Sequence, residues 1–444
     1  GYSAANPNYS IGWVSPVPGS ITTQGCQLRT FVYELWNSGF EYVGWVPCQP
    51  SQVQLAYTVV GNADPDADGV LDPDDICPYT YNPEQDSAAL REWSGVFEET
   101  DGFYTVEAVQ PMFDGGYLVG GRVETWAPGC YYHLWKVDAC GSIVWDRPCC
   151  GPFLKSSVAN ESDSRGPSAP DDRGYWFKHP MIEPTADSGF IVLTNEEGFT
   201  LVKLDKYGNQ EWYQFPTSGY FGFSVHQTST GGYVIAMQGD SPIKPSVLWL
   251  DANGNFLREM NIGETWYYPD GMDARETSDG GTICVTDWPT GGANGTDIRV
   301  VKYDAAYNVE WDHTFGGTDK DVPMTVFEVP GTGYAIAGNV EYPSGSYDQR
   351  LMMINSTGTQ VLWDNIYGGP NHEMVICATT TNDGGYLLAG NTDDHGAVGY
   401  DLYVLKVNEN GAQQWSQTYD GLDNEAAGSI VSTDDGGFIV GGMS

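Results

Sequence analysis

The chain has 444 residues, and 59 acidic against 19 basic side chains give it a formal net charge of −40. A charge of this size repels nucleic acid and anionic membrane surfaces, so neither is expected as a partner. No run of about 18 apolar residues is present that could insert into a membrane. Because the chain begins with Gly rather than Met, we expect a mature, extracellular form from which a signal peptide has been removed.

Residues 1–60 are rich in aromatic and β-branched residues and predict short strands near 9–14, 28–36, 40–46 and 53–60. So few strands bury little apolar surface and are marginally stable alone. The region is therefore predicted to be an immunoglobulin-like module or a set of strands that dock elsewhere. Residues 1–15 have the length and apolar content of a donor strand.

Residues 61–86 form an acidic linker with the ligand spacing of a calcium-binding loop. Oxygen atoms recur at the positions from which such loops coordinate the ion, with Gly69 at the sharp turn. These candidate ligands are Asp64, Asp66, Asp68, the Val70 carbonyl, Asp72 and Asp75. Prolines within the stretch disfavour the flanking helices of an EF-hand.

The end of this linker resembles a thrombospondin type 3 repeat. Asp75-Ile76-Cys77-Pro78 nearly matches the Asp-Asn-Cys-Pro ending of that repeat, with Ile76 in place of the usual Asn. The resemblance implies structural calcium in an extracellular linker.

Residues 87–444 contain one short phrase seven times, in which an acidic or small polar residue precedes a glycine-rich turn. The copies are Asp114-Gly115-Gly116-Tyr117, Asp187-Ser188-Gly189-Phe190, Thr230-Gly231-Gly232-Tyr233, Asp279-Gly280-Gly281-Thr282, Gly331-Thr332-Gly333-Tyr334, Asp383-Gly384-Gly385-Tyr386 and Asp435-Gly436-Gly437-Phe438. Glycine after Asp supplies the positive φ of a tight hairpin turn. A period of roughly 40–50 residues is typical of a β-propeller, in which each repeat builds a four-stranded blade. The sequence therefore predicts an all-β fold, a seven-bladed β-propeller.

Two further strands follow the hairpin in each repeat. The third strand has the pattern Val-Lys-Leu-Asp, and a Gly-Asn turn leads to a fourth strand that contains a tryptophan. These tryptophans are Trp145, Trp212, Trp311, Trp363 and Trp415. We expect them to pack between blades. The repeat resembles those of secreted bacterial and archaeal surface propellers, which implies an architecture but no particular activity.

The strand count leaves one position of the propeller empty. Residues 91–97 fit as a fourth strand that closes the last blade, yet only six third strands can be counted before the chain ends. An unpaired strand edge pairs readily. The position could be filled by chain beyond Ser444, by an earlier segment such as residues 53–60, or by a strand from a neighbouring molecule. The last alternative would join subunits head to tail.

Nine cysteines are present without the paired spacing of a zinc site. Cys26 could bridge to Cys48, and Cys130 to the Cys149–Cys150 pair across strands. Such disulfides would indicate an oxidising compartment. Cys284 and Cys377 lie in apolar strands and are predicted to be free and buried. An insertion of about 25 residues, 152–179, interrupts the repeat and is predicted to be a contact loop or a passive loop.

No catalytic constellation is apparent, and no enzyme activity is predicted. Six histidines are scattered through the chain, and Asp297, Asp348 and Asp401 recur before third strands, where loop-capping hydrogen bonds are expected. The first hypothesis is therefore a calcium-stabilised extracellular structural protein that assembles with copies of itself by β-strand insertion. The second is an adhesin or glycan-binding propeller, and the third is a secreted polysaccharide hydrolase or lyase.

Overall fold

A computed structural model describes residues 57–61, 91–93, 102–125, 130–138, 141–149, 181–195, 199–215, 221–240, 243–263, 269–289, 295–393, 399–419, 424–433 and 436–443. These residues form 28 antiparallel strands, numbered in chain order, and the fold is an all-β propeller. In this part of the chain no helix is both long and apolar enough for a membrane span.

The first three blades are each built from four consecutive strands. Blade 1 consists of β3 (Gly102–Pro111), β4 (Tyr117–Thr125), β5 (Cys130–Val137) and β6 (Ile143–Pro148). Blade 2 consists of β7 (Met181–Pro184), β8 (Phe190–Thr194), β9 (Thr200–Leu204) and β10 (Gln210–Gln214). Blade 3 consists of β11 (Phe221–Gln227), β12 (Tyr233–Asp240), β13 (Ile243–Leu250) and β14 (Phe256–Asn261).

The next three blades repeat this order. Blade 4 consists of β15 (Met272–Glu276), β16 (Thr282–Pro289), β17 (Thr296–Tyr303) and β18 (Val309–Phe315). Blade 5 consists of β19 (Lys320–Val329), β20 (Gly333–Glu341), β21 (Tyr347–Asn355) and β22 (Val361–Tyr367). Blade 6 consists of β23 (Glu373–Thr380), β24 (Tyr386–Thr392), β25 (Asp401–Val407) and β26 (Gln413–Tyr419).

A further four-stranded sheet, called the closing sheet here, joins the two ends of the described chain. It contains β27 (Ala426–Ser432), β28 (Phe438–Met443), β1 (Tyr57–Gly61) and β2 (Arg91–Trp93). Its strand order is β2-β1-β28-β27. The first strands of the blades contact one another in succession, and β27 contacts both β23 and β3, so the ring is closed.

The closing sheet corrects the prediction of a seven-bladed propeller built from one repeat. The repeat forms six complete blades, and β27 and β28 of the seventh copy lie in the closing sheet with β1 and β2. The predicted outer strand near residue 91 is present as β2. The open third position is occupied by β1 of the same chain, which is the fold-back alternative. Residues 57–61, assigned above to the N-terminal region and the start of the linker, thus pair with the propeller.

The hydrophobic core lies between adjacent sheets. Leu118 and Leu134 of blade 1, for example, pack with Phe190 and Val192 of blade 2. The closing sheet is packed in the same way on both sides through β27 and β28, since Ile439 joins the cluster of blade 1 and other β27 and β28 residues join that of blade 6. Burial between sheets explains why the second and third strands are continuous apolar runs.

Candidate functional site

The acidic residue of the repeated turn forms an ion pair with the lysine of the third strand. In blade 4 the Lys302 ammonium lies 2.9 Å from Asp279 Oδ2 and 3.1 Å from Glu310 Oε2. It also donates to the Tyr303 carbonyl at 2.9 Å. Lys302 is 2% exposed, so the carboxylates compensate a buried charge. Burial raises the pKa of Asp279, but hydrogen bonds from Thr277 and Lys302 lower it more, to about 2.

In the six blades this pair is present or absent as a unit. Blades 1, 2 and 6 have it as Lys136 with Asp114, Lys203 with Asp187 and Lys406 with Asp383. In blade 3 the turn has Thr230 and the third strand has Trp249 at the lysine position, and in blade 5 the two positions are Gly331 and Met353. The lysine and the aspartate of the repeat therefore serve the blade itself and are not free for a ligand.

The fourth-strand tryptophans pack on the next blade, as predicted. Their ring centroids lie 5.7 Å from the second-strand aromatic ring for Trp212 and Tyr233, 6.0 Å for Trp311 and Tyr334, and 5.8 Å for Trp415 and Phe438. The Gly-Asn turn of the next blade lies under the same ring. Gly411 has φ +76°, and a methyl group there would lie 2.8 Å from the Trp363 ring. The glycine thus provides both a left-handed turn and a close approach.

A buried histidine on the first strand of blade 3 is the centre of a titratable cluster that links neighbouring blades. His226 Nδ1 lies 2.7 Å from Glu183 Oε2 on β7, and His226 Nε2 lies 3.0 Å from Asp273 Oδ1 on β15. Asp273 Oδ2 accepts hydrogen bonds from the Thr325 hydroxyl at 2.8 Å and the Val326 amide at 3.0 Å, both on β19. The cluster therefore connects the first strands of blades 2 to 5.

In this cluster His226 acts as a structural cation. Each ring nitrogen of His226 faces a carboxylate, and only the imidazolium can donate to both at once. Burial and the Arg275 charge lower the pKa of His226, but Glu183 and Asp273 raise it more, and the net pKa lies above its ordinary value. A doubly donating imidazolium has no lone pair with which to act as a general base. The geometry thus favours a role in holding blades together.

The sequence analysis missed this cluster, although a signal for it was present. Glu183, His226 and Arg275 each lie two residues before a threonine at the end of the first strand, in three consecutive repeats. An alignment of the repeats on that threonine would have placed three charged residues of both signs on adjacent strands.

The aspartates predicted to precede third strands lie at the start of those strands, and Asp297 and Asp348 lie close to glycines that follow the fourth strands. A methyl group on Gly316 would lie 2.1 Å from Asp297 Oδ1 and 2.6 Å from Asp321 Oδ2. Burial raises the pKa of Asp297 and of Asp321 despite the Arg350 charge, which lowers both. Because both carboxylates approach the same glycine, the negative charge of one disfavours ionisation of the other.

Asp348 makes the predicted loop-capping hydrogen bond. Its Oδ2 accepts a hydrogen bond from the Tyr342 hydroxyl at 2.8 Å, and Tyr342 lies in the loop between β20 and β21. Asp401 occupies the corresponding first position of β25. Across the described residues, no group of three or more His, Cys, Asp and Glu side chains is arranged to hold a metal.

A small cleft of about 200 Å³ lies between β6 and the turn that precedes β10. Arg147 lines it and is already bonded, to the Asn209 side chain at 3.0 Å and the Tyr207 carbonyl at 2.8 Å. Pockets for small ligands are usually larger, roughly 300–1,000 Å³. The cleft therefore does not indicate a ligand site.

The third strand of the closing sheet is attached by fewer residue pairs than its counterparts. β1 pairs with β28 through Tyr57↔Gly441, Thr58↔Val440 and Val59↔Ile439, and it pairs with β2 through three residues as well. In blade 6, by contrast, β24 and β25 are in register over seven pairs. A short ladder gives fewer hydrogen bonds and less side-chain contact between strands.

The composition of β1 also departs from the repeat. The third-strand residue opposite the second position of β24 is Lys406, and that opposite the same position of β28 is Val59. The lysine that compensates the turn aspartate in four blades is therefore replaced. This strand completes the sheet without matching the repeat.

The junction between blade 6 and the closing sheet lacks a contact that other junctions have. Asn339 of β20 donates to the Val375 carbonyl at 2.9 Å and accepts from the Val375 amide at 2.7 Å, at the bulge of the next first strand. Asn195 makes the same pair of bonds with Gly222. Asn391 holds the equivalent position before β27, is 1% exposed, and has no hydrogen-bond partner within the described part of the chain.

The predicted calcium ligands at positions 64–75 lie outside the described residues, as do residues 1–15 and the insertion 152–179. Among the cysteines, Cys149 is disulfide-bonded. Cys284 is free and buried, as predicted, and Cys377 is free and half-buried.

The solved structures named below are similar to the chain at low identity and low TM-score. No protein-family model matches the chain, and no curated protein matches it. A solved protein of unknown function from Dyadobacter fermentans is 11% identical, with a TM-score of 0.44, over 78% of this chain and 96% of that one. One of unknown function from Bacteroides caccae is 11% identical, with a TM-score of 0.41, over 72% and 94%. A GH43 β-1,3-galactosidase is 12% identical, with a TM-score of 0.34, over 71% and 74%.

Proposed function

We propose that the protein is an extracellular structural protein without catalytic activity, a subunit of a filament or surface layer that assembles with copies of itself. The observation that supports this most is the closing sheet, whose outer half is made of β1 and β2, two strands from before the repeat. The position between β28 and β2 thus takes a strand from outside the repeat, which is the kind of pairing that β-strand addition uses.

The use of polar groups within the propeller also supports a structural role. Lys302 and Asp279 pair with each other, His226 is bonded to two carboxylates, and Asn339 bridges two blades. A site for catalysis needs groups that are poised for a substrate. Here the buried charged and amide groups instead link strands and blades.

Extracellular location and calcium binding complete the proposal. The disulfide at Cys149 fits an oxidising compartment, and the net charge of −40 fits a surface bathed in divalent cations. Calcium would be held by the acidic loop at positions 64–75, because carboxylates so close in sequence repel one another unless a cation lies between them.

Electron microscopy of the purified protein in calcium and after chelation tests this function. We expect polymers in calcium and shorter or dispersed particles after chelation, with new protease cleavage within residues 61–86. Limited proteolysis of blade hairpins should be unchanged, which serves as the internal control. Monodisperse single subunits at all calcium concentrations would contradict the proposal.

A further inference from the structure

We propose that β1 is exchangeable between copies of this chain, so that Tyr57–Gly61 of one molecule can complete the closing sheet of another. The partner is a second copy, and the interface is the position between β28 and β2. This inference rests on the proposed function and identifies the joint through which subunits would be connected.

The length of the chain between strands is the first argument. In each of blades 1 to 6, five residues connect the third strand to the fourth, whereas 29 residues separate β1 from β2. A five-residue hairpin loop keeps both strands in one molecule. A connection of 29 residues could extend over as much as about 90 Å and imposes no such restriction. The position of β2 itself is restricted, since only eight residues link it to β3.

The weak fit of β1 is the second argument. It forms three register pairs with β28, and Val59 replaces the repeat lysine. A strand held by few pairs opens at a lower free energy than strands of the core. Exchange then requires only that this strand leave one sheet and enter an identical one.

The geometry of exchange decides the product. If every copy passes β1 to the next molecule, the contact is heterologous and builds an open chain of subunits. If two copies trade strands, a closed dimer results. The calcium loop proposed above lies between β1 and β2 in the sequence.

Cysteine cross-linking between two different variants tests the exchange. Thr58 and Val440 are directly opposite each other in the register, at a separation suited to a disulfide. One copy would carry Thr58→Cys and a purification tag, and the other Val440→Cys without a tag. After co-expression and mild oxidation, we expect a disulfide-linked product of twice the chain mass that contains both copies. The control uses Ala389→Cys and Val404→Cys, which are paired within blade 6, and should give no such product.

The double variant Thr58→Cys/Val440→Cys provides the second measurement. An internal cross-link in the double variant without any linked product from the mixed copies would overturn the exchange. So would the absence of both cross-links, because β1 would then not occupy this position. Filaments without the linked product would leave the structural function intact and refute exchange. Linked dimers without filaments would support exchange and contradict the filament function.

Discussion

Replacement of His226 by glutamine tests whether the inter-blade cluster contributes stability through a buried imidazolium. The side chain of His226 is 5% exposed, and its two carboxylate partners, Glu183 and Asp273, are 25% and 2% exposed. Breaking a buried, hydrogen-bonded ion pair costs about 3–5 kcal/mol. Because Glu183 is partly solvated, and because Asp273 keeps its bonds to Thr325 and Val326, we expect about 3 kcal/mol, the lower end of that range.

The pH dependence of this difference follows from the direction of the pKa shift. The pKa of His226 is raised in the folded protein, so its contribution to the free energy of unfolding is complete below the unfolded value of about 6.5. It declines as the pH rises through the folded pKa, by at most about 1.4 kcal/mol per pH unit. The stability of the wild-type protein relative to His226→Gln should therefore shrink on going from neutral to alkaline solution.

Urea unfolding followed by tryptophan fluorescence, at a series of pH values, measures the difference. The matched control is His313→Gln on outer strand β18, where the half-buried imidazole stacks on Trp311 and the expected change is about 0.5 kcal/mol. A loss from His226→Gln below about 1 kcal/mol would refute the reasoning. A loss that grows as the pH rises would refute it too.

Two further predictions concern the repeat itself, and both are measured by urea unfolding. Asp279→Thr should cost about 3 kcal/mol because it removes a partner from the buried Lys302 ammonium. Lys302→Met should cost about 1 kcal/mol because the carboxylate that it leaves is exposed. The double variant should lose less stability than the sum of the two single losses, and a loss equal to that sum would contradict this coupling. Gly411→Ala should cost about 2–4 kcal/mol, since it adds a clash with Trp363 to the penalty of a positive φ. Gly384 also has a positive φ, but an added methyl group there would lie 3.9 Å from Glu409 Cβ, an ordinary contact. Gly384→Ala should therefore cost only about 1–2 kcal/mol, and equal losses for the two variants would contradict the contribution of the Trp363 clash.

The strand pattern of the repeat could be predicted because its signals are local. The turn around Gly280 needs a positive φ, which is +78° in the structure, and glycine is the residue that adopts it without strain. Tryptophan in a fourth strand was correctly assigned to packing between blades, as Trp212 on Tyr233 demonstrates. The apolar runs that predicted the second and third strands form those strands in the structure, where they pack in clusters between blades.

The closing sheet and the His226 cluster depended on the fold of the whole chain. Nothing in residues 57–61 resembles the third strand of the repeat, since Val59 lacks the lysine, and its place was only one of several alternatives from the sequence. His226, Glu183 and Asp273 meet across three blades although more than forty residues separate each from the next.

The amino-acid sequence by itself thus determined the type of fold, because turns, strand periodicity and the repeat are properties of short segments. Only the tertiary structure decided which strand closes the ring and which charges are buried together. Both depend on segments distant in sequence that become neighbours when the ring closes, and pairing between such segments is set by packing and register rather than by local preference.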